Sequence, residues 1–344
     1  MKIFDFLYKD NIGEPPWDYY FLQNLPESEY PKYLKKLYKY KTGKNLNLKH
    51  PKTYNEKIQW IKLYGITPLM RDCTDKVKVR DFVKEKIGEE YLKPVLQIIP
   101  NESHETMHCH CEQVNDNLGL ARQSRDRSND TLDCHGTKKA VVPRNDGEPN
   151  AVSTYFDRID FDKLPNAFVL KCNHGCKWHY IIKNKQDFLN TPQLFEMVKG
   201  QITSWLEQDY SFWGGFEMNY HDIEPKILIE PLMREEINNE SEEIQIYFDE
   251  EIKFIIRKYT KNQITIYDKN LKITDNFLGF EENKILIDPD DLIKQTFDLS
   301  KQLIKNTDIK LVRIDWMIYK NKPYFEEFTF TPYSGFKKEL ERLM

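Results

Sequence analysis

Two acidic residues in the stretch LVRIDWMIYKNKPYFEEFTFTPYSG (311–335), Asp315 and Glu327, have the spacing to face one another across a hairpin. Val312, Ile314, Trp316 and Ile318 alternate with Arg313, Asp315, Met317 and Tyr319, the period-2 pattern of a half-buried strand. A return strand rich in aromatics and Thr covers 324–331. A three-residue turn at Lys320, Asn321 and Lys322 sets Asp315 opposite Glu327 and Arg313 opposite Thr329. A two-residue turn would set Asp315 against Phe328 instead. Directly paired side chains lie ~5 Å apart, and like charges there repel. A divalent cation between the carboxylates removes that repulsion, because hard cations take oxygen ligands. The plainer alternative is an acidic pair in water. By alternation, neighbouring Glu326 falls on the other face and is not expected to be a ligand.

Anion-binding chemistry has candidates elsewhere. In the strand AFVLKC (167–172), Lys171 shares a face with Val169, away from Phe168, Leu170 and Cys172. A buried ammonium without a partner is costly, so an anion is expected beside it. Asn173, His174 and Gly175 follow, and their donors suit a phosphate cradle. A lysine at a sheet edge with its head in water is the bland reading. Lys76 stands at a helix start, where free N–H groups favour anions, on one face with Arg80 and Lys84. Glu230 ends the run KILIE and precedes Pro231, which cannot extend a ladder. That reads as a hinge beside a cleft for a flat ring. Asp288, Asp290 and Asp291 after a strand have the D-x-D spacing of a glycosyltransferase metal site, but equally that of a helix cap.

The elements that position these residues are readable. A chain of 344 residues buries one large core or two smaller ones. Residues 26–64 look helical, with Thr53 and Glu56 at capping-box spacing and Gly65 as a stop. A second helix is expected from Asp75 to Ile87, and another over 290–306. Strands are expected at 167–172, 178–183, 226–232 and in a hairpin through Asp249 and Glu250, followed by NQITIYD. Mostly antiparallel strands with segregated helices indicate α+β. Residues 103–154 break the pattern. They hold Cys109, Cys111, Cys134, His104, His108, His110 and His135, ligand types that suit zinc. Their wording also resembles translated palindromic repeats, so a disordered in-frame insertion into a surface loop is expected. A net charge of −4 argues against nucleic acid as a partner. The start of the chain does not read as a signal peptide, and no run of about 18 apolar residues exists for stable membrane insertion. Six cysteines without framework spacing fit a reducing cytoplasm.

Together PKTYNEKIQWIKLYG, DKVKVRDFVKEKIGEEYLKP, IDFDKLPNAFVLKCNHG, EPKILIE and VRIDWMIYKNKPYFEEFTFTPYSGF resemble the ATP-grasp superfamily, in its TupA-like branch. The resemblance covers most of the chain beyond the first 20 residues and the insertion. It implies an ATP-grasp fold, with two α+β subdomains sandwiching the nucleotide. The expected division is an N-terminal helical region (1–70), a small subdomain (71–102 with 155–230), the insertion (103–154) and a C-terminal subdomain with the metal site (231–344). It implies ATP and Mg²⁺ as cofactors. Lys76, Lys171, Asn173, His174, Gly175, Glu230 and Leu232 would contact the nucleotide. Asp315, Glu327 and Thr329 would hold the metal, with Thr329 standing where many relatives have Asn. Lys171 and Arg313 would act on the transferred phosphoryl group. Many relatives have a glycine-rich loop where this chain has HGCKWHY. The implied activity is carboxylate–amine ligation in cell-surface polysaccharide biosynthesis, joining a glycan-precursor carboxylate to an amine donor. A nucleotide-sugar glycosyltransferase and a catalytically degenerate scaffold are the alternatives.

Overall fold

The computed structural model describes residues 16, 18–100, 153–233, 242–260, 263–274, 284–337 and 340. The Cys- and His-bearing positions of the expected insertion lie outside them.

The N-terminal helices α1 (Tyr19–Gln23) and α2 (Tyr30–Thr42) bury Tyr19, Leu22, Leu34, Leu37 and Tyr38 against Phe212 and Phe216. Helix α3 (Tyr54–Trp60) opens with the capping box written in the sequence. The Thr53 side chain accepts the Glu56 N–H, and the Glu56 carboxylate accepts the Thr53 N–H. Such a cap is worth ~1 kcal/mol. One π-helical turn, Ile61–Gly65, follows. Helix α4 (Pro68–Thr74) is capped by Thr67, and α5 (Val79–Ile87) begins later than the sequence suggests. Asp75 turns the chain first, its carboxylate accepting the N–H of Val77 at 2.8 Å.

Strand β1 (Gln97–Ile99), helix α6 (Ser153–Asp157), strands β2 (Phe168–Cys172) and β3 (His179–Ile182), helices α7 (Lys185–Leu189) and α8 (Pro192–Leu206) and strand β4 (Ile227–Pro231) build the first layer pair. The four strands form an antiparallel sheet in the order β1-β4-β2-β3. Phe168, Leu170 and Cys172 face inward with Ile227 and Ile229, against Val198, Ile202 and Trp205 of α8. Lys171 is left on the opposite face, as alternation requires.

Strands β5 (Glu242–Asp249), β6 (Glu251–Thr260) and β7 (Gln263–Asp268), helix α9 (Asp291–Ile304) and strands β8 (Leu311–Tyr319) and β9 (Lys322–Thr329) build the second. Its antiparallel sheet runs β7-β6-β5-β8-β9. One face, with Ile244, Ile246, Val312, Ile314 and Trp316, packs on Leu292, Ile293, Leu299 and Leu303 of α9. Met70, Cys73, Val79 and Val83 join the same core. Cys73, Val79, Val83, Ile87 and Leu92, within the segment 71–102 expected in the small subdomain, pack their apolar stripe into the core of the five-stranded sheet. On the other face Tyr247, Phe254, Ile256 and Leu311 lie under Tyr54 and Ile58 of α3. Among the described residues, no helix is long and apolar enough to cross a membrane.

The β8–β9 hairpin departs from expectation in its turn. Tyr319 pairs with Lys322, so the turn is the two residues Lys320 and Asn321, both left-handed at φ 50° and 58°. That is the signature of a type I′ turn. Asp315 still pairs with Glu327, and Arg313 with Thr329, because the register shifts between Asp315 and Trp316. Trp316 meets Phe325, so Glu326 is the extra residue of a β-bulge.

Candidate active site

The two sheets meet in a cluster of four charges. Lys171 Nζ lies 2.8 Å from Glu230 and 3.1 Å from Glu326. Lys93, only 6% exposed, lies 3.1 Å from Glu230 and also hydrogen-bonds Glu326. Burial alone would favour the neutral Lys171 amine. Glu326 and Glu230 outweigh it and raise Lys171 above its ordinary value. Burial would likewise raise the two glutamates, but Lys171 and Lys93 hold both below the usual range. Lys171 and the two glutamates are therefore charged at neutral pH. Lys93 and Glu326 were not among the sequence candidates. Alternation sets Glu326 away from Asp315 and Glu327, and as the bulge residue it brings its carboxylate to Lys93 and Lys171 instead.

A second group of charges lies on the face of the five-stranded sheet shared by Arg313, Asp315, Glu327 and Thr329. Arg313 grips Asp315 with both nitrogens, Nε at 2.6 Å and Nη2 at 2.5 Å, and donates from Nη2 to Thr329 Oγ1 at 3.1 Å. Thr329 Oγ1 donates in turn to Glu327 at 3.1 Å. Glu327 is 3.8 Å from Arg313. Burial, and then the facing Asp315, push the Glu327 carboxyl above its usual range. Opposite charge from Arg313 and Lys76 does not cancel this. A carboxylate held against another is a place where a cation binds favourably. Two carboxylates and a hydroxyl are hard oxygen donors, the set that suits Mg²⁺. Among the described residues, no three or more His, Cys, Asp or Glu side chains gather as a metal cage.

Lys76 stands on the Asn173–Gly175 loop within the field of Glu327. Its Nζ donates to the carbonyl of Gly175 at 2.6 Å, and its N–H to the carbonyl of Asn173 at 3.2 Å. Asn173 and His174 are spent on the fold. The fully buried Asn173 amide donates to Asp75 and to the Glu224 carbonyl, each at 2.9 Å, and accepts the Lys226 N–H at 2.7 Å. The His174 ring nitrogens meet Asn173 Oδ1 and the Trp205 carbonyl, and burial pulls its pKa down to about 4. Gly175 lies against the Trp178 ring. A Cβ there would sit 2.2 Å from the Trp178 ring. Gly175→Ala is therefore expected to cost about 1–3 kcal/mol, as overpacking does. Urea unfolding measures it, and a change below 0.5 kcal/mol would show that the loop yields freely.

Glu230 sits at the end of β4, and the Leu232 N–H donates to the Ala167 carbonyl at 3.3 Å. Arg80 borders the first cluster, donating to the Lys93 carbonyl and lying in the field of Glu230, whereas Lys84 pairs with Glu89 outside it. Asp290 caps α9, accepting the Ile293 N–H, and pairs with Arg257 at 2.7 Å. The D-x-D stretch is thus used as a helix cap.

A family model described as TupA-like ATP-grasp matches residues 138–344, more than half of the chain. No curated protein matches in sequence. Among solved structures, the chain is similar to D-alanine–D-alanine ligase from Bacillus anthracis, at 16% identity and a TM-score of 0.38 over 79% of this chain and 63% of that one. It is also similar to D-alanine–D-alanine ligase from Helicobacter pylori, at 14% identity and a TM-score of 0.26 over 56% of this chain and 53% of that one. The chain therefore spans less than two thirds of the length of either.

Proposed function

This chain belongs to the TupA-like ATP-grasp family, and from that premise we propose that it is an ATP- and Mg²⁺-dependent ligase joining a carboxylate to an amine through an acyl phosphate. The observation that carries the reading is the facing pair Asp315–Glu327, with Glu327 disfavoured as an anion until a cation arrives. In this reading ATP lies between the two sheets. Glu230 and the backbone at Leu232 meet the adenosine end. Lys171, Lys76 and the backbone of Gly175 meet the phosphates. Asp315, Glu327 and Thr329 hold Mg²⁺, which when bound neutralises phosphate charge and aligns the group to be transferred.

The chain's own residues bind, orient and neutralise. Phosphoryl transfer depends mainly on positioning and electrostatics, and a carboxylate nucleophile is already ionised at neutral pH. No general base is needed for the first step. Arg313 keeps its charge whatever the pH and stands beside the metal face, suited to the phosphoryl oxygens as the acyl phosphate forms. The substrates we propose are a carboxylate on a cell-surface polysaccharide or its precursor, from an amino acid or uronic acid, and an amine donor. Sequence resemblance supports that setting. Cys73, Cys172 and Cys176 are free thiols, which suits the cytoplasm.

The test is ADP formation from ATP and Mg²⁺ with a panel of amino acids and uronic acids. The ligase reading expects at least one acid to stimulate ADP release. Thermal protection by a UDP-sugar and none by ATP with Mg²⁺ would favour the glycosyltransferase alternative. Protection by ATP with no acid ever active would leave a nucleotide-binding scaffold.

A further inference from the structure

A cavity of about 160 Å³ opens between helix α4, the turn into α5 and the stretch 221–223. None of the residues assigned above to the nucleotide or the metal lines it. A void of that size takes a ligand of about six non-hydrogen atoms, since benzene enters an engineered cavity of about 150 Å³. That engineered cavity is apolar, whereas this one is walled mostly by charged side chains.

Most of the charges on its wall are matched. Lys78 Nζ lies 2.9 Å from Asp72, an exposed pair, and also stands in the field of Asp75 and Glu224. His221 Nδ1 lies 2.6 Å from Asp209, and its Nε2 lies 3.4 Å from Asp222. Two groups of opposite sign are left. The partly buried Arg71 guanidinium has no hydrogen bond or ion pair among the described residues, and its charge opposes protonation of His221. Asp75 is 1% exposed. Its Oδ1 accepts the N–H groups of Val77 and Lys78 at 2.8 and 3.4 Å and the Asn173 amide at 2.9 Å. Its Oδ2 has no hydrogen-bond partner among the described residues.

Arg71 and Asp75 stand four residues apart, the spacing at which opposite charges on a helix ordinarily meet. Here they do not pair. The chain leaves α4 at Asp75 in an extended conformation, and both residues line the cavity instead. A partly buried cation and a buried carboxylate oxygen, each without a partner, bear a desolvation cost. One molecule that carries both a carboxylate and an ammonium group offsets both costs with charge-assisted hydrogen bonds. A carboxylate alone would be repelled by Asp75, and an ammonium alone by Arg71. Two opposite charges on about six non-hydrogen atoms describe a small amino acid.

We propose that this cavity binds the zwitterion of a small amino acid, with its carboxylate on Arg71 and its ammonium on Asp75. The site adjoins the Asn173–Gly175 loop, since Asp75 holds the Asn173 amide and the next residue, Lys76, reaches the Gly175 carbonyl. It requires no nucleotide, so it stands apart from the ligase reading.

Glycine is titrated calorimetrically into the full chain without nucleotide, beside acetate, methylammonium and inorganic phosphate. Glycine should bind about tenfold more tightly than each of the others, the scale of one further hydrogen bond to a charged group. Arg71→Gln should weaken glycine binding by about tenfold or more on the same scale. Its urea midpoint should stay unchanged, because the guanidinium has no partner to lose. Ile223→Trp, which fills the cavity from its apolar wall, should weaken glycine binding as well. Acetate or phosphate binding as tightly as glycine overturns the proposal in favour of a plain anion site. Absence of glycine binding overturns it too. So does an unchanged glycine affinity in either variant, which would place the amino acid elsewhere on the protein.

Discussion

Lys93→Met is expected to lower the unfolding free energy by about 3 kcal/mol, near the low end for a broken buried ion pair because Glu326 is partly open to the cleft. The methionine keeps most of the volume, so the loss reports charge rather than packing. It leaves Glu230 and Glu326 sharing the single ammonium of Lys171. Adding Glu326→Gln should restore part of the loss, since residues in one ion-pair network are not additive. Urea unfolding of the two variants measures both effects. A loss below 1 kcal/mol for Lys93→Met would mean that the cluster is solvated rather than structural.

The same cluster sets a pH dependence whose sign follows from the shifts. Glu230 and Glu326 are held below their ordinary 4.5, so their contribution is present above about pH 4.5. It is lost as pH falls below that value. Lys171 is raised above its ordinary 10.5, so its contribution is full below pH 10.5 and is lost only above it. These are two views of one set of contacts and do not add. Lys93→Met should therefore flatten the acid limb of the stability profile.

Glu327→Gln should separate stability from activity. Mg²⁺-dependent ATP turnover is expected to fall by about 10²–10³-fold or more, the scale of losing one preorganised electrostatic contact at a transferring group. Stability should stay level or rise. The Glu327 carboxyl is raised by burial and by Asp315, so its anion is a cost to the native state at neutral pH. An amide of the same shape removes that repulsion. Asp315→Asn should abolish turnover as well, but at a cost in stability, because Arg313 loses the partner that it grips with two hydrogen bonds. Retention of normal turnover in both variants would remove the metal-face assignment. A large loss of stability in Glu327→Gln would show that the carboxylate is structural.

The facing of Asp315 and Glu327 was legible in the sequence, but by a different route from the one the chain takes. Alternation placed both acids on one face, and that pattern survives because one side of the strand must be apolar. The turn was misjudged because Lys320 and Asn321 lack the glycine that usually marks left-handed pairs. The bulge at Glu326 then restored the register. A bulge is an extra residue, and nothing in the run EEF marks which residue is extra. The same blindness hid the role of Glu326. Lys93 sits just before Pro94, outside any periodic element, and only the pairing of the following segment with β4 and the bridge from Leu92 to Phe325 bring it to Glu230 and Glu326. Capping signals were read well because they are local, as Thr53–Glu56 shows. Asn173 and His174 looked like phosphate donors because donor type is legible, whereas direction is not. Their hydrogen bonds run inward to Asp75, Glu224, Lys226 and Trp205.

The central claim is that Asp315 and Glu327 hold Mg²⁺ against the phosphates of ATP. Calorimetric titration of a non-hydrolysable ATP analogue, with and without Mg²⁺, on the wild type and on Glu327→Gln tests it most directly. The account predicts that Mg²⁺ tightens nucleotide binding at least tenfold in the wild type and far less in the variant, with similar metal-free affinity in both. The same Mg²⁺ enhancement in both proteins would contradict it.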